Sequence, residues 1–140
     1  MKVLGLDLGI KRTGVAISDK TGTVVRRLHN LLAESRQEAV DKILQIVLAE
    51  EVNVVVIGLP QGQSEGAIVK RAQGLKEALL KTGDDKGVSV SVVLWDESRT
   101  SKKASENLAK NQIQKSKRKE LLDAESAAVL VEDYLLWAKK

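Results

Sequence analysis

The chain contains no cysteine and only one histidine, His29, among its 140 residues. The absence of cysteine excludes disulfide bonds and thiolate metal sites. A zinc site built on imidazoles needs more than one histidine, so the composition argues against it. A metal ion, if one is bound, must be held by carboxylates.

Aromatic side chains are also scarce, with no Phe, one Tyr and two Trp. Such a composition leaves little for the aromatic platforms on which single-strand binders stack bases. Lys and Arg outnumber Asp and Glu by 23 to 19, which gives a net charge of +4. This mild excess favours polyanionic partners, and we expect any nucleic acid to be contacted mainly through its phosphates and shape.

Long apolar segments are missing as well. The N-terminal stretch is too short for a signal peptide and contains Asp7, and no later segment has the length of a membrane span. We therefore expect a cytoplasmic protein without membrane association. The length fits a single domain over residues 1–140.

Hydrophobic patterning predicts a mixed α/β fold. Short spacings and turn residues indicate that the first three strands form antiparallel hairpins, and later strand and helix units predict two parallel strands. The predicted strands cover 3–8, 13–18, 23–28, 53–58 and 88–95. The predicted helices cover 36–50, which begins with a Ser/Thr-x-x-Glu capping box, 64–81, 101–110 and 120–138.

Acidic residues follow or end elements that should lie close together. Asp7 ends an apolar strand, Asp96 and Glu97 end another, and Asp123 opens the last predicted helix. Each has a local explanation: Asp7 as a turn residue, and Glu97 and Asp123 as acids at a helix N-terminus. If strands one, four and five are adjacent, their ends are about 4.8 or 9.6 Å apart, and the acids can converge.

Converging carboxylates repel one another unless a cation neutralises them. Oxygen-only ligands favour hard ions such as Mg²⁺ or Mn²⁺. Two such ions about 3.5–4 Å apart can support hydrolysis of a phosphodiester. The acids therefore predict a metal-dependent nuclease.

Four motifs in the chain resemble one known family over almost its whole length. These are GLDLGIKRTGVAISD, VVVIGLPQGQSEG, WDESRTS and LLDAESAAVLVEDYL. They are similar to the YqgF/RuvX family of RNase H-like proteins, described as Holliday junction resolvases and pre-16S rRNA nucleases. The resemblance implies an RNase H-like sheet of three antiparallel and two parallel strands, and catalytic metal-ligand roles for Asp7, Glu97 and Asp123.

The resemblance also suggests roles for basic residues and glycines. Phosphate contacts are expected from Lys11, Arg12, Arg99, Lys115, Lys117, Arg118 and Lys119. The basic segment 110–119 is equally consistent with a solvated loop or a frayed helix end. Tight turns or close backbone approach are expected at Gly9 and Gly14, and Gly58 and Pro60 would shape the floor of the site.

One departure from the family pattern concerns arginine. The third motif of the family usually reads Asp-Glu-Arg, whereas Ser98 and Arg99 follow Glu97 here. Either the guanidinium is lost from position 98, or Arg99 takes its role from another face.

Two other classes of function compete with a nuclease. An ATPase of the actin and sugar-kinase class also begins with an Asp-Leu-Gly strand, but it needs two lobes, which this length does not supply. A catalytically silent nucleic-acid-binding or interaction module of the same fold would keep the architecture without cleavage. For an active enzyme, precursor rRNA and branched DNA both remain open as substrates, and symmetric cutting of a four-way junction would require a homodimer.

Overall fold

The structure is a computed structural model that describes residues 1–8, 12–59, 66–96 and 115–138. Of these, Asp96 and residues 115–126 are described by their backbone alone. The strands are β1 (Val3–Leu8), β2 (Arg12–Ser18), β3 (Val25–Leu32), β4 (Val54–Leu59) and β5 (Ser91–Asp96). The helices are α1 (Arg36–Glu50), α2 (Ala67–Asp85) and α3 (Lys115–Ala138).

The five strands form one mixed sheet in the order β3-β2-β1-β4-β5. The first three strands pair antiparallel, whereas β4 is parallel to both β1 and β5. This arrangement confirms the predicted fold class and the predicted adjacency of the first, fourth and fifth strands. It also brings the carboxyl ends of β1, β4 and β5 to one edge of the sheet, where sites gather in open α/β sheets.

The two faces of the sheet support separate apolar clusters. Leu4, Leu6 and Leu8 of β1 contribute to a cluster that includes residues of α1 and α2. Val3 of β1 belongs to a second cluster with α3 residues such as Leu130. Because side chains alternate along a strand, odd-numbered residues of β1 face α3 and even-numbered residues face the other two helices.

Helix α1 forms where its sequence predicts it. The Ser35 hydroxyl accepts a hydrogen bond from the Glu38 amide at 3.1 Å, and the Glu38 carboxylate accepts one from the Glu34 amide at 3.2 Å. Val40, Ile43, Leu44 and Val47 supply its buried stripe. The helix therefore occupies 36–50, as expected from the capping residues and the apolar spacing.

The third strand begins later and runs further than the predicted 23–28. Asp19 accepts hydrogen bonds from the amides of Thr23 and Val24 at 2.9 and 3.3 Å, which holds the segment before Val25 in a turn. As the edge of the sheet, β3 then continues through mostly exposed polar residues up to Leu32. The apolar pattern missed this part because an edge strand needs few buried side chains.

Both later helices also differ from their predicted limits. Helix α2 continues to Asp85, because Gly83 is buried against Val88 and accepts a hydrogen bond from its amide at 2.7 Å. Helix α3 begins at Lys115, so the predicted start at 120 and the interpretation of 115–119 as a loop are wrong. The helix predicted over 101–110 lies outside the described residues.

In the described part of the chain, no helix combines the length and apolarity that crossing a membrane requires.

Candidate active site

Asp7 lies on the central strand of the sheet with a glycine beside it on each neighbouring strand. It pairs with Gly14 on the antiparallel strand β2 and with Gly58 on the parallel strand β4. Register partners project to the same face, so the two positions directly beside Asp7 in its row carry no side chain. The Asp7 residue is half-buried. Neither neighbouring strand therefore adds a side chain at the register position beside Asp7.

Gly14 does not form the tight turn expected of it, whereas its expected close approach to a phosphate stays a prediction. It lies inside β2, and its backbone does not adopt the positive φ found at Gly22, Gly66 and Gly87 among the described residues. The prediction that Gly14 forms a tight turn is therefore wrong. The β2–β3 register shifts between Thr13 and Val15, where β3 has one more residue than β2, so Gly14 pairs with Asp7 on one side and lies at this irregularity on the other.

Helix α3 covers the face of the sheet to which Asp7 belongs. Gly5 precedes Asp7 by two residues and shares its face. A Cβ atom on Gly5 would lie 3.0 Å from the carbonyl oxygen of Ala127 and would overlap the Val131 side chain. The backbones of α3 and β1 therefore meet closely beside Asp7.

The contact between Gly5 and Ala127 also indicates where the backbone of Asp123 lies along α3. This residue precedes Ala127 by four positions, so its Cα is about 6 Å further along the helix axis from the contact with β1. Asp123 also lies more than two turns after Lys115, the first residue of α3. The alternative in which Asp123 serves as a first-turn acid is therefore wrong, whereas its role as a metal ligand stays a prediction.

Glu97 follows β5, whose last residue, Asp96, is in register with Leu59 of β4. Glu97 and Arg99 both lie outside the described residues. Among the described side chains, no three Asp, Glu or His residues form a group that could hold a metal ion. Of the three predicted ligands, only Asp7 has a described side chain, so the convergence of the three acids stays a prediction.

The surroundings of Asp7 nonetheless fit a divalent cation. Its carboxylate supplies hard oxygen donors, which Mg²⁺ and Mn²⁺ prefer. The two flanking glycines put no side chain of their own beside it. The carboxyl end of β5 is two strands away, about 9.6 Å, at the same edge of the sheet. Glutamate has the longest reach of the acidic side chains, which suits it to this gap.

The predicted phosphate-contacting residues are only partly described. Arg12 is half-buried at the start of β2 and shares the face of Gly14 and hence of Asp7. The backbones of Lys115, Lys117, Arg118 and Lys119 form the first turns of α3. Lys11, Gly9 and Pro60 lie outside the described residues. The contacts of these residues with phosphate stay predictions.

Sequence reasoning missed an aromatic cluster on the same face. Trp95 of β5 contacts Tyr134 and Trp137 of α3, with ring centroids 5.4 Å from each. Gly58 is the register partner of both Asp7 and Trp95, so these three residues form one row across the sheet. The sequence did contain an indication of this position. Trp95 directly precedes Asp96 and Glu97, so it must lie near the same edge of the sheet as these acids.

The opposite face of the sheet carries a cavity of about 380 Å³. Leu8 and Thr13 line it from the sheet, Arg36 from α1, and Arg71 from α2. Leu8 is an even-numbered residue of β1 and projects away from α3. This cavity therefore does not belong to the site around Asp7.

Carboxylates elsewhere have pKa values lowered by contacts that hold the fold together. A hydrogen bond from Lys2 at 3.2 Å lowers the pKa of Glu50, and Arg26 adds a second contact at 3.3 Å. The Thr21 hydroxyl lowers the pKa of Asp19 in the turn after β2. These acids join strands to α1 or shape a turn, so their roles are structural.

Comparison with known proteins assigns the sequence to a family. Residues 1–136 match the family described as RuvX, Holliday junction resolvase. A relative from Thermoanaerobacter pseudethanolicus is 33% identical over 142 residues, covering 96% of this chain and 96% of its own. A relative from Listeria innocua is 35% identical over 140 residues, covering 96% of this chain and 97% of its own. Both are named "Putative pre-16S rRNA nuclease".

Solved structures show the same fold at low sequence identity. The RuvC of T. thermophilus in complex with a Holliday junction substrate gives a TM-score of 0.62 at 15% identity, covering 100% of this chain and 97% of that one. A Fowlpox virus resolvase with Holliday junction DNA gives 0.57 at 14% identity, with 100% of both chains covered. These neighbours share the RNase H-like sheet. On the match over residues 1–136, the chain belongs to the RuvX family.

Proposed function

We propose that this chain is a divalent-metal-dependent endonuclease that hydrolyses phosphodiester bonds in structured nucleic acid. One observation carries the proposal: a half-buried carboxylate, Asp7, lies between two glycines on the central strand, on the face covered by α3. Neither of these glycines puts a side chain in the space beside Asp7. A carboxylate that must share a metal ion with ligands and a phosphate needs that space.

Asp7, Glu97 and Asp123 are the residues that would hold Mg²⁺ or Mn²⁺. Support comes from the strand order, which brings the carboxyl ends of β1 and β5 to one edge, and from the contact of α3 with Gly5. When bound, a pair of such ions stabilises the charge that develops on the attacking and leaving oxygens. The carboxylates would hold the ions in place beside the scissile phosphodiester. Water would be the nucleophile, and no covalent intermediate would form on the enzyme.

Basic residues around this edge would hold the nucleic acid. Arg12 shares the face of Asp7, and its guanidinium is suited to a phosphate close to the scissile bond. The first turns of α3 contribute Lys115, Lys117, Arg118 and Lys119, which are suited to phosphates further away. The net charge of +4 favours association with a polyanion in general.

The family description and the names of the relatives suggest two substrate classes. Precursor 16S rRNA and four-way DNA junctions are both structured and both polyanionic, and we propose that one of them is cut in the cytoplasm. Symmetric cutting of a junction needs two active sites, so this substrate would require a homodimer.

The decisive experiment compares both substrates under matched conditions. Purified protein is incubated, with and without Mg²⁺, with precursor rRNA that spans the mature 5′ end and with a four-way DNA junction, and the cuts are mapped. If one of the two substrates is cut, and the cut requires Mg²⁺, the proposal is supported and the substrate is identified. Tight binding of both without cleavage in Mg²⁺ or Mn²⁺ would instead identify a silent binding module.

A further inference from the structure

The three aromatic residues of the chain, Trp95, Tyr134 and Trp137, form one cluster. Trp95 stands edge-on to Tyr134, with an interplanar angle of 86°, and Trp137 lies 5.8 Å from Tyr134 on the next turn of α3. The small number of aromatic residues suggested that the chain has little from which to build a stacking surface. Instead, the fold collects all of the aromatic side chains at one place.

The cluster lies on the same face of the sheet as Asp7. Gly58 pairs with Asp7 on one side and with Trp95 on the other, so Trp95 and Asp7 are two strands apart, at about 9.6 Å between Cα atoms. The residue between them has no side chain. Nothing that projects from β4 at this row therefore separates the indole from the carboxylate.

Core packing does not account for the whole cluster. Tyr134 is buried and belongs to the apolar cluster under α3, and Trp95 is half-buried against it. Trp137, however, is 57% exposed, and its neighbour Leu136 is 65% exposed. A tryptophan held by two ring contacts, yet exposed over more than half of its surface, offers an aromatic ring to a ligand.

We propose that Trp95 and Trp137 stack against an unpaired nucleobase of the substrate strand, next to the phosphodiester held at Asp7. The location beside the scissile bond rests on the proposed nuclease function. Stacking on aromatic rings tolerates any base, because every base has a π-face. Bases inside a continuous duplex are stacked on each other, so the surface selects a nucleotide in a loop, an open junction or a single-stranded end.

Intrinsic fluorescence tests this proposal directly, because both tryptophans of the chain belong to the cluster. The Asp7→Asn variant, which prevents cleavage, is titrated with a short single-stranded RNA, the same strand with abasic sites, and the corresponding duplex. We expect quenching by the single strand, and much weaker quenching by the abasic strand and the duplex, although all three present phosphates.

Variants separate stacking from charge. In the same background, Trp137→Ala should weaken binding of the single strand by roughly 5- to 150-fold, the usual range for one stacked base. The dependence of affinity on salt should keep its slope, since no phosphate contact is lost. Trp137→Phe should recover part of the affinity. The matched control is Leu136→Ala, which truncates the adjacent exposed side chain and should bind like the parent.

Three results would overturn the stacking proposal. Equal quenching by the abasic strand would show that bases are not contacted. An unchanged affinity in Trp137→Ala would remove the exposed ring from the interface. A dimer of the parent protein that dissociates in Trp137→Ala, with RNA affinity unchanged, would show that the surface binds a second copy. Cleavage by the wild type without base-dependent quenching in Asp7→Asn would contradict only this inference, and base-dependent quenching in Asp7→Asn without cleavage by the wild type would contradict only the nuclease.

Discussion

Asp7 and Gly58 are register partners on the adjacent parallel strands β1 and β4. Their side-chain positions project to one face, and the two strands lie about 4.8 Å apart. The glycine therefore adds no side chain between the carboxylate and Trp95, which is the next residue in the row.

Substituting this glycine should impair the site more than the fold. We expect Gly58→Ala to place a methyl group beside Asp7 and to reduce metal-dependent cleavage by up to about 100-fold, as small displacements of catalytic groups do. Cleavage rates and thermal unfolding, measured together, check this. Cleavage at the wild-type rate would show that the glycine has no role in the site.

The contact between β1 and α3 predicts a cost for a side chain at Gly5. A Cβ there overlaps Val131 and approaches the Ala127 carbonyl to 3.0 Å, so Gly5→Ala should lower the free energy of unfolding by about 1–3 kcal/mol. Urea denaturation measures this. Combining Gly5→Ala with Val131→Ala should cost less than the sum of the single variants, because the second change removes the overlapping methyl groups. Strict additivity would contradict the contact.

The ion pair at the end of α1 predicts a dependence of stability on pH. Lys2 lowers the pKa of Glu50 below its ordinary value of 4.5, so the contact stabilises the fold above that pH and is lost as pH falls through the folded-state value. We expect Lys2→Met to lose less stability than the wild type on acidification below about pH 5. Lys81→Met, at an exposed lysine of α2, is the control and should follow the wild type. Parallel curves for Lys2→Met and the wild type would argue against the contact.

The start of α3 predicts how binding depends on salt. Lys117→Ala combined with Arg118→Ala should reduce the slope of log affinity against log salt by about two for double-stranded nucleic acid, because two phosphate contacts are lost. Lys81→Ala combined with Lys86→Ala removes the same charge near the end of α2 and should leave the slope unchanged. Equal effects of the two double variants would point to net charge rather than local contact.

Sequence reasoning predicted those parts of the fold that local chemistry determines. The capping residues and apolar spacing place α1 at Arg36–Glu50, and the β-branched run around Val56 predicts a central parallel strand. Tertiary packing decided the rest. The start of α3 was missed because a basic, polar segment shows no helical stripe of its own, and its position depends on how the later residues dock on the sheet.

The candidate site was predictable in its residues but not in its surroundings. The position of Asp7 at the end of an apolar run signals a carboxylate at a strand end. That Gly14 and Gly58 flank it depends on strand register, which a single sequence does not specify. Trp95 and Trp137 are far apart in the chain, so only the docking of α3 brings their rings together.

The central claim is that the Asp7 carboxylate holds a divalent cation needed for phosphodiester hydrolysis. The most direct measurement compares Mn²⁺ binding by calorimetry and Mg²⁺-dependent cleavage in the wild type and Asp7→Asn, with Asp84→Asn on the exposed end of α2 as control. We predict that Asp7→Asn folds like the wild type but loses both metal binding and cleavage, whereas Asp84→Asn keeps them. Cleavage by Asp7→Asn at the wild-type rate would contradict the account.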